Sequence, residues 1–164
     1  MRALALLILF APITTLAQPA QVSRVLKTID FEERRLGNAE DLPMHFTKAQ
    51  GSGLPHYVNG RLATDMARSG RYAFRLDLNG GSLVYRYDAG RIRVQAGAHY
   101  RVEGYVRTSA LAHAKARLSA YLANIDGRPL ASTRRSSELF SSRPTDDPWH
   151  RLAVELSADH ADAV

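Results

Sequence analysis

Two stretches of strict alternation constrain this chain more than any other feature. Residues 99–108 (HYRVEGYVRT) place Tyr100, Val102, Gly104 and Val106 on one side. Residues 149–156 (WHRLAVEL) set His150, Leu152, Val154 and Leu156 against Trp149, Arg151, Ala153 and Glu155. Successive side chains of an extended chain point to opposite faces, whereas a helix needs apolar residues three and four apart, so both segments are strands with one face to bury. Weaker strand signals fill most of the remaining chain. They cover residues 25–31 (VLKTIDF), 56–64, 71–78 (RYAFRLDL, with Tyr72, Phe74, Leu76 and Leu78 on one half-buried face), 82–87, 91–94, 114–125 (AKARLSAYLANI) and, as a weak polar strand or loop, 130–140. Ser69-Gly70, Asn79-Gly80-Gly81, Asp88-Ala89-Gly90, Ala96-Gly97 and Asp126-Gly127 punctuate them, and the Asn-Gly-Gly run predicts a hairpin. The alanines of residues 114–125 also suit a short helix, but the Asp126-Gly127 turn favours a strand. Gly104 in mid-strand marks a bulge or a close approach of another group. Roughly eight short strands at this spacing predict an all-β sandwich or barrel.

The first 17 residues stand apart from that pattern. Arg2, the apolar run at residues 3–11 (ALALLILFA), the Pro12 break and Thr15-Leu16-Ala17 read as a secretory signal peptide cleaved near Ala17. The run is too short to cross a bilayer, and no later stretch reaches ~18 apolar residues, so no transmembrane segment is expected. Residues 18–24 then form a linker and residues 25–164 a single domain, secreted, periplasmic or at the cell surface. The chain has no cysteine, which excludes a disulfide framework, a thiolate zinc site, an iron–sulfur cluster, a cysteine nucleophile and a lipoprotein anchor. An apolar stretch begins at Ala163-Val164 with no closing turn, so the last strand or strands of the domain are expected to be missing.

The order of several short motifs resembles a known family. The residues that carry it are Asp30-Phe31-Glu32-Glu33, then residues 69–76 (SGRYAFRL), residues 94–102 (VQAGAHYRV), Tyr105-Val106-Arg107-Thr108 and Trp149-His150-Arg151-Leu152. Together they resemble the galactose-binding-like jelly rolls of carbohydrate-binding modules associated with cellulases and xylanases, over nearly all of residues 25–158. That resemblance implies a β-sandwich jelly roll and non-catalytic binding of a polysaccharide or glycan. It also implies a structural calcium, with Glu32 as side-chain ligand and Arg71 offering its carbonyl. The sequence departs from the family where a tryptophan usually follows the first loop (Pro43-Met44-His45-Phe46 stands there) and where a closing aspartate pair would stand.

Sugar recognition needs flat rings against pyranose C–H faces, flanked by polar groups for the hydroxyls. The candidates are Tyr57, Tyr85, Tyr87, Tyr105 and Tyr121, with Arg107 and Asn124 as polar partners. Tyr85 and Tyr87 lie two apart on one strand face and form a short platform. The plainer expectation for a strand tyrosine is a ring in the core with its hydroxyl at the rim. Paired carboxylates for glycoside hydrolysis, Glu32 with Glu103 or Asp77 with Asp88, need tertiary convergence within about 5–10 Å. Asp146-Asp147 before His150 reads better as a polar turn than as a metal site, the six histidines lack ligand spacing, and no nucleophile elbow or phosphate loop is present. No enzyme activity is therefore expected. The net charge of +6 falls to +5 once Arg2 leaves with the signal. Its clusters Arg91-Ile92-Arg93 and Arg134-Arg135 suit solubility or an anionic surface better than nucleic acid. Two readings remain: a glycan-binding module that localises an attached partner such as a downstream domain of the same protein, or a structural or protein-interaction β-sandwich of a larger secreted or cell-surface protein without a sugar ligand.

Overall fold

The computed structural model describes residues 23–33, 41–55, 57–78, 80–109, 111, 113–141 and 148–163. The expected signal peptide and the Asp146-Asp147 pair lie outside them. The described chain is all-β: β1 Phe46–Lys48, β2 Gly60–Ala63, β3 Ala73–Leu76, β4 Tyr85–Tyr87, β5 His99–Val106, β6 Ser119–Ala120, β7 Arg135–Ser136 and β8 His150–Ser157, with a single 3-10 turn, η1 Ala131–Thr133. All pairing is antiparallel, in four two-stranded ladders: β1 with β4, β2 with β3, β5 with β8 and β6 with β7. Each half of the chain thus nests an inner pair inside an outer one.

The two strongest sequence signals form the longest ladder. Tyr100, Val102, Gly104 and Val106 face Leu156, Val154, Leu152 and His150 in unbroken register. Gly104 therefore marks no bulge. Leu152, Val154 and Leu156 are buried, as the alternation requires. Residues 114–125 are extended rather than helical: Ala116 bridges Phe140, β6 pairs with β7 and Ala123 bridges Pro129. Leu122, Leu156 and Ala158 make the core of this half, covered by Tyr100, Val94, Ala120 and Leu130. Phe140, also buried, lies flat on His150, ring centroids 4.2 Å apart.

The first half is held by rings. Phe31, Phe46 and Phe74 meet one another at 5.7–6.0 Å, Tyr85 stands edge-on to Phe74 at 4.7 Å, and Tyr87 edge-on to Phe46 at 5.3 Å. Lys48 closes the loop before β2, its ammonium donating to the Pro55 and Val58 carbonyls and to Asn59 Oδ1.

Several expectations are corrected. Residues 25–31 form no strand, and Val25 is 83% exposed. Residues 91–94 form none either, and residues 130–140 are strand only in part, carrying η1, the two-residue β7 and the bridge from Phe140 to Ala116. Alternation makes a segment able to pair, but a strand also needs a partner edge for its amides, and residues 25–31 and 91–94 find none among the described residues. Leu76 and Leu78 do not share the burial of Tyr72; they are 45% and 36% exposed. The Asn79-Gly80-Gly81 turn makes no hairpin, because β3 pairs back with β2 and β4 with β1. The chain instead crosses over the preceding loop, where Ser82 donates to the Gly53 carbonyl and Gly81 lies so near Pro55 that a side chain there would collide with the ring.

Candidate functional site

A cleft of about 790 Å³ opens where the start of β5 meets the end of β8. His99 and Arg101 reach it from β5, Glu155 and Ser157 from β8, Asp159 and His160 from the segment after β8, and Ser132, Thr133 and Arg135 from η1 and β7. The β5–β8 register explains the pairing on its wall. Arg101 directly faces Glu155, and His99 faces Ser157. Arg101 Nη1 donates to Glu155 Oε1 at 3.4 Å, while its Nε lies 2.6 Å from Glu103 Oε1. His99 Nδ1 and Ser157 Oγ are 2.7 Å apart. Across the cleft, Arg135 Nη1 donates to the Ser132 and Arg134 carbonyls at 3.2 and 3.0 Å, which holds the guanidinium in place by main-chain oxygens. Thr133 is fixed likewise, its hydroxyl donating to the Leu130 carbonyl and accepting from the Leu122 amide. The walls combine carboxylate acceptors, guanidinium donors and hydroxyl or imidazole groups that do both.

None of the ring candidates lines this cleft, and the fold does not gather them. Tyr85 and Tyr87 do share one face of β4, but both rings are engaged by phenylalanines, and the Tyr85 hydroxyl accepts from the Gly60 amide at 2.8 Å. Tyr87 borders a small recess of about 70 Å³ beside Phe31, Phe46 and Lys27. Tyr57 is 80% exposed in the loop before β2. Tyr105, on the outer face of β5, lies under the Arg68 guanidinium, whose carbon is 3.5 Å from the ring centroid. Arg107 is exposed just beyond β5, and Tyr121 is half-buried just beyond β6. Asn124 is committed to its own turn, Oδ1 accepting from the amides of Asp126 and Arg128 at 3.1 and 2.9 Å.

Glu32 and Arg71 do come together, 39 residues apart in the chain, through the Glu32 carboxylate and the Arg71 amide. Glu32 Oε1 accepts from the amides of Arg71 and Tyr72 at 2.7 and 3.0 Å. Gly70 makes this possible: it has φ +65°, and the Glu32 carboxylate occupies the space a Cβ would need. Calcium requires six to eight oxygen ligands, and among the described residues no group of three or more His, Cys, Asp or Glu converges. Two main-chain amides share the Glu32 Oε1 oxygen.

The other carboxylates considered for acid–base chemistry each have a different neighbour. Glu103 lies between Arg101 and Arg151. Asp77 pairs with Arg75 at 2.7 Å and Arg61 at 3.6 Å. The hydrogen bond from Arg75 to Asp77, with the attraction of that charge, raises the guanidinium's pKa above its ordinary value. Asp88 accepts from the Thr47 hydroxyl at 2.8 Å.

Compared with known proteins, the chain matches no family model, no curated protein and no solved structure. No described helix is long and apolar enough to cross a membrane. The cleft itself escapes sequence reasoning. Its walls come from three segments, and the residues share no spacing; only Arg134-Arg135 stood out, as a charge cluster.

Proposed function

We propose that this chain is an exported, non-catalytic carbohydrate-binding domain and that the glycan lies in the β5–β8 cleft. The cleft's composition carries the reading. A sugar hydroxyl both donates and accepts, and the cleft supplies acceptors (Glu155, Asp159), donors (Arg101, Arg135) and dual groups (Ser132, Ser157, His99) around one volume. The doubly nested antiparallel pairing supports a jelly-roll sandwich, and the sequence of residues 1–17 supports export. Binding of this kind raises the local concentration of an attached partner at a polysaccharide without lowering any chemical barrier. The ring candidates play a smaller part than the sequence suggests: Tyr57 and Tyr105 are the exposed ones, and neither lines the cleft.

The test is a glycan array together with a pull-down on insoluble polysaccharide. Binding is expected, with affinity falling at least about tenfold in Arg135→Ala and in Asp159→Ala, the loss of ~1.4 kcal/mol typical of one charged hydrogen bond. Tyr57→Ala should leave it unchanged. A specific observation favours a second reading, a structural or protein-interaction module without a sugar ligand: the rings of Tyr85 and Tyr87 are used for packing. Absence of binding to every glycan and polysaccharide would leave that reading in place of the first.

A further inference from the structure

The second edge of β5 has no strand beside it among the described residues; its only strand neighbour is β8. We infer that this edge pairs with the same edge of a second copy of the chain, antiparallel, about a two-fold axis through Val102. The inference does not depend on the glycan reading.

Amide direction comes first. The Ala158 amide donates to the Ala98 carbonyl. In an antiparallel ladder the residues that bond to the neighbour alternate with those that do not. Even-numbered residues of β5 therefore turn their amides towards β8, and His99, Arg101, Glu103 and Tyr105 turn theirs to the open edge. An axis through Val102 sets Arg101 opposite Glu103 of the second copy and His99 opposite its Tyr105. The outward amides then meet as hydrogen-bonded pairs, and opposite charges face each other across the seam.

The register is selective. A slip of one residue puts the apolar face of one strand against the polar face of the other. A slip of two residues either way sets Arg101 against Arg101 or Glu103 against Glu103, and like charges directly opposite are unfavourable. Proteins usually protect such an edge with charges of one sign, a proline or a bulge. Here the register is unbroken, the segment has no proline, and the charges alternate in sign, so that they repel in other registers and attract in this one. The inner face gives an independent observation. Val154 is 4% exposed, whereas Val102 directly beside it is 38% exposed, so apolar cover runs out at the open edge. A second β5 would continue that row with its own Val102 and Val154.

Sedimentation equilibrium of the full chain over a range of concentrations tests this. The parent protein should approach twice the monomer mass as concentration rises. E103R places arginine against arginine at the seam and should raise the dissociation constant about tenfold or more. The swap R101E/E103R restores complementarity and should restore the dimer, and an equimolar mixture of R101E with E103R should form a heterodimer. Should E103R fail to fold, R101E serves as the single-charge variant and the double swap as its rescue. A parent that stays monomeric throughout, an E103R protein that dimerises like the parent, or a double swap that stays monomeric would each overturn the inference.

Discussion

Gly60 and Gly104 both lie inside strands, but the structure assigns opposite signs to their replacement by alanine. At Gly60 a Cβ would lie 2.6 Å from Leu76 Cδ2 and 2.8 Å from Cε2 and Cζ of Phe74, about an ångström inside ordinary contact. Leu76 is 45% exposed and can swing away. Phe74 cannot, because Phe31, Phe46 and Tyr85 surround its ring, and the Tyr85 hydroxyl is tied to the Gly60 amide. Overpacking of this kind costs about 1–3 kcal/mol, and removing a strand glycine's chain entropy returns about 0.5–1 kcal/mol. At mid-range Gly60→Ala should therefore lose about 1.25 kcal/mol, which at about 2–4 °C per kcal/mol for a chain of this size lowers Tm by roughly 2.5–5 °C. At Gly104 the nearest atom to a new Cβ is Leu118 Cδ2 at 3.8 Å, an ordinary contact. Only the entropy gain remains, so Gly104→Ala should raise Tm by about 1–4 °C. Thermal unfolding followed by circular dichroism reads both. A Gly60→Ala protein as stable as the parent, or two variants that move Tm in the same direction, would refute this account of how the aromatic cluster packs.

Other expectations follow from individual contacts. Phe140→Ala removes a buried ring stacked on His150 and should cost about 3–5 kcal/mol in chemical denaturation. Glu32→Ala strips the acceptor from the Arg71 and Tyr72 amides and should cost about 1–3 kcal/mol; calcium added to the parent should leave its Tm unchanged, and a calcium-dependent rise would show that Glu32 serves a cation after all. Asn124→Ala should cost about 1 kcal/mol through its lost turn bonds, yet leave glycan affinity intact, which isothermal titration can separate from stability.

What the sequence determined by itself is local. Period-two alternation is written into the order of residues, so β5 and β8, the burial of Leu152, Val154 and Leu156, and the shared face of Tyr85 and Tyr87 could all be read without coordinates. So could the turn at Gly70, though not the reason for it, which is a carboxylate from 38 residues earlier. Tertiary structure decided which extended segments found partners. Residues 25–31 alternate as well as β4 does and yet pair with no strand among the described residues, because a strand exists only when another edge satisfies its amides. It also decided that the tyrosine platform would become the wall of a phenylalanine cluster, and that His99, Arg135 and Asp159 would meet across one cleft. Those outcomes are competitions between distant segments of similar local preference, and burial and hydrogen-bond satisfaction settle them only once the whole chain has folded.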